Sequence, residues 1–213
     1  MNDTNRELIN FYKVIQQDYV SLEKKIRITL HSRSQHGDAK VIYDNPHLFN
    51  DLDRAWAVWV LASQSFSAML DGSWGYGKKD NKVTKTIINK GKLFNEEYAI
   101  RLQNVCLECA DAIYIIKSRD TAETFHYVDP PYFNSDCGHY AGYSEQDFMN
   151  LLDVLSQVKG KFLLSSYPSE LLNSYIKRFK WQFKQVEQLV TVNAKGGKPK
   201  KKIEMLTANY KLE

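Results

Sequence analysis

The tetrapeptide Asp129-Pro130-Pro131-Tyr132 brings a carboxylate, a fixed carbonyl and an aromatic ring into one short stretch. A proline followed by a proline holds the Pro130 carbonyl in rigid, extended backbone. With the Asp129 carboxylate it offers two acceptors to the two N–H groups of a single amine. An exocyclic amine conjugated to a heterocyclic ring is a poor nucleophile, because its lone pair is delocalised. Acceptors aimed at both hydrogens favour a more tetrahedral nitrogen and stabilise the charge it develops on attacking an electrophilic methyl group. Tyr132 adds a ring able to stack on the heterocycle. The competing explanation is a proline turn with no chemistry.

The flanking elements decide whether this loop is accessible. Thr124 to Val128 reads as a strand running into the tetrapeptide. Two prolines cannot continue a helix or a central strand, so the tetrapeptide is a loop at a strand's carboxyl end. Catalytic groups of α/β sheets lie there. Ser144 opens a helix with Asp147 in a capping box and Phe148, Leu151, Leu152 and Leu155 along one face. Lys161–Ser165 follows as a buried strand, and Ser169–Phe179 as a helix. Trp181–Val192 and Ile203–Tyr210 form a long hairpin. Upstream, Val105–Leu107 reads as a short strand, with Cys106 in it and Cys109 a buried neighbour. Phe94–Leu102 and Ala110–Ile116 read as helices. The pattern predicts an α/β fold with a largely parallel sheet and an antiparallel edge.

The first half reads differently. Asn5–Lys24 has the period of a single helix, capped by Asp3 or Thr4. Asp38–Asn50 is irregular, and Asp51–Met69 is a second helix whose Trp56 and Trp59 belong in a core. From Asp71 to Lys92 the chain is rich in glycine, with Trp74 and Tyr76 preceding lysines. His31 and His36 are expected at the surface. His126 is expected in packing rather than catalysis, and no acid partner is evident in the sequence. His139, Tyr140 and Tyr143 follow the tetrapeptide loop, and Ser166 and Tyr167 end the next strand, where serines contact a ligand or simply cap the helix that follows.

The chain has 213 residues and a formal charge of +4, an excess too small to name a partner by itself. Its distribution is more informative. Lys78–Lys92 holds six lysines against one acid, and Lys195–Lys202 five lysines and none. Such runs neutralise phosphates or simply form solvated surface. Three cysteines in no disulfide pattern, no apolar run long enough for a membrane and no signal segment predict a cytoplasmic protein without a membrane partner. No phosphate-binding glycine-lysine motif occurs, and no metal site is expected.

Tyr127-Val128-Asp129-Pro130-Pro131-Tyr132 resembles the catalytic motif of the Dam-like, D12-class DNA adenine-N6 methyltransferases. The resemblance implies an S-adenosylmethionine-dependent methyltransferase fold, Rossmann-like, acting on double-stranded DNA. It implies catalytic roles for Asp129, Pro130, Pro131 and Tyr132, with the adenine turned out of the helix. Asn2–Asn5 with Leu8–Tyr12 is similar to the segment after the family's second strand, which makes Asp3 a contact for the cofactor ribose. Arg101–Asp111 is similar to the segment over the cofactor adenine, with Asp111 its polar contact. Phe133 falls where the family packs on the cofactor. The ending Glu204-x-Leu206-x-x-Asn209-Tyr210 is similar to the final strand of phage-like members.

On this resemblance residues 1–31 start the methyltransferase core. Residues 32–92 are a target-recognition insertion, and residues 93–213 are the catalytic core with its hairpin at 181–210. The insertion's Lys78, Lys79, Lys82 and Lys85, and Lys198 and Lys200 of the second run, are the expected nucleic-acid contacts. The family's opening lysine motif and its Phe-x-Gly-x-Gly loop have no counterpart here, which predicts an N-terminally truncated fold. Cofactor binding by this chain alone is then weak or absent, completed by a homodimer or another chain. The competing readings are a DNA-binding remnant without catalysis and an amino-methyltransferase acting on RNA or protein.

Overall fold

The computed structural model describes residues 1–134, 142–190 and 200–213. They form two compact units, Met1–Ala112 and Ile113–Glu213.

The first unit is helical. The Asn5 side chain accepts hydrogen bonds from the backbone of Glu7 and Leu8 and starts α1 (Arg6–Gln17). The single helix expected over 5–24 is broken at Asp18, whose φ of −146° and ψ of 51° are not helical, and α2 (Tyr19–Arg27) follows. The break lets Val14 and Ile15 of α1 and Leu22 and Ile26 of α2 enter the same core. Asp3 caps no helix; its carboxylate accepts from the Asn5 N–H at 2.7 Å.

The stretch expected to be irregular contains α3 (Arg33–Asp44), and α4 (Asp51–Gln64) starts on the Asn50 cap. The polar sequence of α3 hides its periodicity because one core position is a histidine. His36, Ala39 and Ile42 are buried, so His36 is not the surface residue expected. Trp56 and Trp59 are in the core, as their area predicts. Residues 82–93, expected as part of a loop, form α5 (Lys82–Leu93); α6 (Glu97–Leu102) follows. Gly91 of α5 is buried beside Ile26 and Trp59. The Arg54 guanidinium donates to both Glu7 oxygens, at 2.8 and 2.7 Å, and to Asp51 at 2.9 Å. This bidentate pairing satisfies the nearly buried Glu7.

Val105–Leu107 forms no strand; the chain there makes one isolated parallel bridge, Asn2 to Glu108. Cys106 and Cys109 are both exposed, against the buried position expected for Cys109.

The second unit contains α7 (Ala112–Arg119), β1 (Phe125–Val128), α8 (Glu145–Leu155), β2 (Lys161–Ser166), α9 (Glu170–Phe179), β3 (Gln182–Val190) and β4 (Lys200–Ala208). The strands lie in the order β1-β2-β4-β3. β1 pairs parallel with β2, and the other two pairings are antiparallel. The described sheet is thus mixed rather than largely parallel, because the C-terminal hairpin supplies half of it. The capping box of Ser144 and Asp147 is present at α8. Phe148, Leu151, Leu152 and Leu155 of α8, Leu172 and Ile176 of α9, and Phe162 and Leu164 of β2 form the core.

Strand register is held at the amino ends of β1 and β2. Asp120 accepts from the backbone N–H of Lys159 at 2.8 Å and Gly160 at 3.0 Å. His126 lies 3.3 Å from the same carboxylate, an acid partner invisible in the sequence. Burial raises the Asp120 carboxyl pKa, but the two backbone donors and His126 outweigh it and hold the group below its ordinary range. Asn209 accepts from Phe162 N–H and donates to the Gly160 carbonyl, which ties in the end of β4.

Two predictions follow from this packing. A Cβ at position 160 would stand 2.3 Å from the Thr124 carbonyl oxygen and 2.7 Å from that of Thr121. Backbone cannot swing aside, so Gly160→Ala should cost about 1–3 kcal/mol, read as a lower denaturation midpoint; an unchanged midpoint would show that the crossing is loose. His36 donates to or accepts from Ser65 Oγ at 2.9 Å inside the helical unit. Burial, then Lys40 and Arg33, hold its pKa below the ordinary 6.5. The folded state keeps the imidazole neutral, so its contribution is complete above the unfolded pKa and is lost as pH falls below it. Between about pH 7.5 and about pH 5.5 wild type should lose more stability than His36→Gln; parallel curves would contradict this.

Candidate active site

Asp129 follows the last residue of β1 and is exposed. Parallel register sets Val128 beside Leu164 of β2, so Ser165 comes next on the neighbouring strand. Ser165 faces Leu206 of β4 across an antiparallel pair. Glu204 is two residues from Leu206 and therefore on the same face. Two pairings thus bring three residues from distant parts of the chain to the end of β1.

Tyr132 joins them. Its hydroxyl lies 2.7 Å from Glu204 Oε1, 2.8 Å from Ser165 Oγ and 3.1 Å from Asp129 Oδ1. Ser165 donates to the same Glu204 oxygen at 3.0 Å. A phenol has one proton to give. The shorter contact assigns it to Glu204, which leaves the Asp129 carboxylate as an acceptor for something else. Burial pushes the Tyr132 phenol well above its ordinary pKa. The Ser165 hydrogen bond opposes this, and Glu204 and the Asp129 charge add to it. The phenol is therefore a fixed neutral donor, not a base. Tyr167 meets the Tyr132 ring edge-on, with centroids 4.5 Å apart, and Lys202 donates to the Tyr167 hydroxyl at 3.0 Å.

The rest of the loop is anchored. Pro130 and Pro131 are half-buried. Phe133 packs on Phe148 at 5.3 Å, against the unit's core, and the Asn134 side chain donates to the Pro168 carbonyl at 3.0 Å. Tyr143 packs on the same core. Ser166 is buried, and its hydroxyl has no partner among the described residues. Cys137, His139, Tyr140 and Lys198 lie outside the described residues.

The remaining candidates belong to the helical unit or the hairpin. Asn2 and Glu108 bridge in parallel, and the Asn2 side chain both accepts from and donates to the Ala110 backbone. Asp3 and Asp111 therefore sit at the carboxyl ends of two adjacent chain segments. Carboxylates can accept from the hydroxyls of a ribose and the amine of a nucleobase. Gly75-Tyr76-Gly77 follows no strand; a Cβ on Gly77 would meet the Asp80 carbonyl at 2.5 Å, so this glycine serves a tight turn. Lys78, Lys79 and Lys85 are exposed. Lys82 is exposed but pairs with Asp80 at 3.2 Å. Lys200 is described by its backbone, opposite Val190 in the hairpin.

Glu204 and Ser165 were not legible as site residues, because only the pairing of β2 with β4 brings them to Tyr132. The one available signal was the similarity of the Glu204–Tyr210 ending to a family strand. Among the described residues no cluster of three metal-ligating side chains occurs, and no helix is long and apolar enough to cross a membrane.

The sequence pattern of the D12 class N6 adenine-specific DNA methyltransferases matches residues 1–195. No individual curated protein matches the chain.

The assignment of the phenol proton is testable without any ligand. In wild type, the ring resonances of Tyr132 should not titrate up to about pH 11. Glu204→Ala removes a bond and a charge that both raise the pKa, so Tyr132 should begin to ionise lower. Titration of Tyr132 like a free tyrosine in wild type would dismiss the network.

Proposed function

Because the chain belongs to the D12 class N6 adenine-specific DNA methyltransferases, we propose that it methylates N6 of adenine in duplex DNA, using S-adenosylmethionine and a base turned out of the helix. The observation that carries this reading is the exposed Asp129 carboxylate at the end of β1, beside a Tyr132 hydroxyl that lies closer to Glu204, at 2.7 Å, than to Asp129, at 3.1 Å.

When bound, S-adenosylmethionine supplies an electrophilic methyl group; Asp3 and Asp111 are the residues that would hold its nucleoside half. Asp129 and the Pro130 carbonyl accept the two N6–H groups. They draw the nitrogen toward a tetrahedral geometry, which frees its lone pair for attack. The carboxylate stabilises the positive charge on N6 and takes up the proton released from it. Tyr132, pinned at its hydroxyl, offers a ring on which the displaced base stacks. That contact is worth about 1–3 kcal/mol and offsets the cost of unstacking. Lys78, Lys79 and Lys85 supply positive charge to the phosphates, as do Lys198 and Lys200 of the second lysine run. Lys82 contributes less while it pairs with Asp80.

Transfer of labelled methyl from S-adenosylmethionine to duplex DNA, single-stranded DNA and RNA tests the reading directly. Duplex DNA should be labelled, and replacing its adenines with purine lacking the amine should abolish labelling. Asp129→Ala should lose about 10²–10³-fold in rate while melting like wild type. Duplex binding without product would leave only a DNA-binding protein, and labelling confined to RNA would move the substrate class.

A further inference from the structure

The helical unit holds a second constellation, unrelated to Asp129. His31 Nδ1 lies 2.8 Å from Thr84 Oγ1 on α5, and its Nε2 lies 2.9 Å from the Gly75 carbonyl. One ring thus ties the glycine-rich loop to a helix. Trp74 packs on His31 with centroids 4.9 Å apart and stacks on Tyr76 at 5.3 Å, the latter two rings within 18° of parallel. The Arg33 guanidinium lies over both, its Cζ 4.6 Å from the Trp74 centroid and 5.6 Å from that of Tyr76.

The backbone under this stack is fixed. Gly75 donates to the Gln64 carbonyl at 2.7 Å, and a Cβ there would crowd that oxygen at 3.2 Å. Ser65 and Trp74 form an antiparallel bridge. The Trp74 indole N–H is shielded from solvent and has no acceptor among the described residues. An unmet buried donor costs stability, so stability alone does not account for this tryptophan. Arg33 is exposed, and among the described residues no carboxylate lies within ion-pair distance of it. Tyr76 is 51% exposed.

A guanidinium laid on two rings keeps its N–H donors in a fixed plane, so little freedom is lost when it binds. A planar pair of acceptors matches it. In the major groove the O6 and N7 atoms of guanine are such a pair. We propose that Arg33, bedded on Trp74 and Tyr76, donates two N–H groups to the O6 and N7 atoms of a guanine in the recognised DNA site. This rests on the duplex-DNA reading above and adds a residue that selects sequence. Lys78, Lys79 and Lys85, exposed on the same segment, then supply the attraction that is blind to sequence. A backbone phosphate presents a similar acceptor pair, and the test separates the two.

The full chain is mixed with randomised duplex DNA, the bound fraction is sequenced, and affinities are measured on the enriched duplex. Arg33→Ala and Arg33→Lys should each lose about 10- to 100-fold of the preference for guanine at one position. Affinity for unrelated duplex and its salt dependence should hardly change. 7-Deazaguanine at that position should weaken wild type and leave Arg33→Ala indifferent. Since Arg33 is exposed, both variants should melt with wild type. If Arg33→Lys binds like wild type while Arg33→Ala weakens every sequence alike, with the salt slope lower by about one, the contact is a phosphate and the proposal falls. Unchanged selection by Arg33→Ala overturns it too, and leaves the methyl-transfer reading standing. Enrichment of no duplex by wild type removes that reading and the proposal together.

Discussion

The hydrogen bond from Tyr132 to Glu204 sets what the tetrapeptide loop can do. A tyrosine hydroxyl beside two carboxylates must choose one of them. At 2.7 Å from Glu204 and 3.1 Å from Asp129, its proton goes to the strand residue, and the loop carboxylate stays available. Were Glu204 apolar, the phenol would satisfy Asp129 and compete with any amine for it. A loop rich in proline gives rigidity, but rigidity alone does not keep an acceptor open. Here the openness depends on a side chain contributed by the last strand.

That arrangement in turn needs the strands to be in register. β2 is the common neighbour: it pairs parallel with β1 and antiparallel with β4. A slip by one residue would turn Ser165 and Glu204 to the opposite face. The register is held at the far ends of the strands, where Asp120, His126, Gly160 and Asn209 interlock. The histidine of β1 thus acts in positioning, through an aspartate six residues before it. The helical unit uses histidines in the same structural way, His36 inside the core and His31 between a loop and a helix.

The elements with strong periodicity were legible. The Ser144–Asp147 capping box, the apolar face of α8 and the C-terminal hairpin all stand where the sequence puts them. The helices around Asp18 and in α3 were not. At Asp18 the apolar period runs on while the backbone turns, because both helices serve one core. In α3 a histidine fills a core position, so the pattern reads as polar. α5 was obscured by its lysines and by Gly91, which stands inside the helix rather than in a turn.

The sequence by itself determined the loop character of Asp129-Pro130-Pro131-Tyr132 and the family, since both follow from neighbouring residues and a local backbone restriction. Tertiary structure alone decided which partners those residues have. Glu204 reaches Tyr132, Asp120 reaches His126, and Arg33 reaches Trp74 through contacts between positions distant in the chain or brought together by turns. Hydrogen bonds and ring stacking act over a few ångströms of space, and spacing along the chain does not encode that distance.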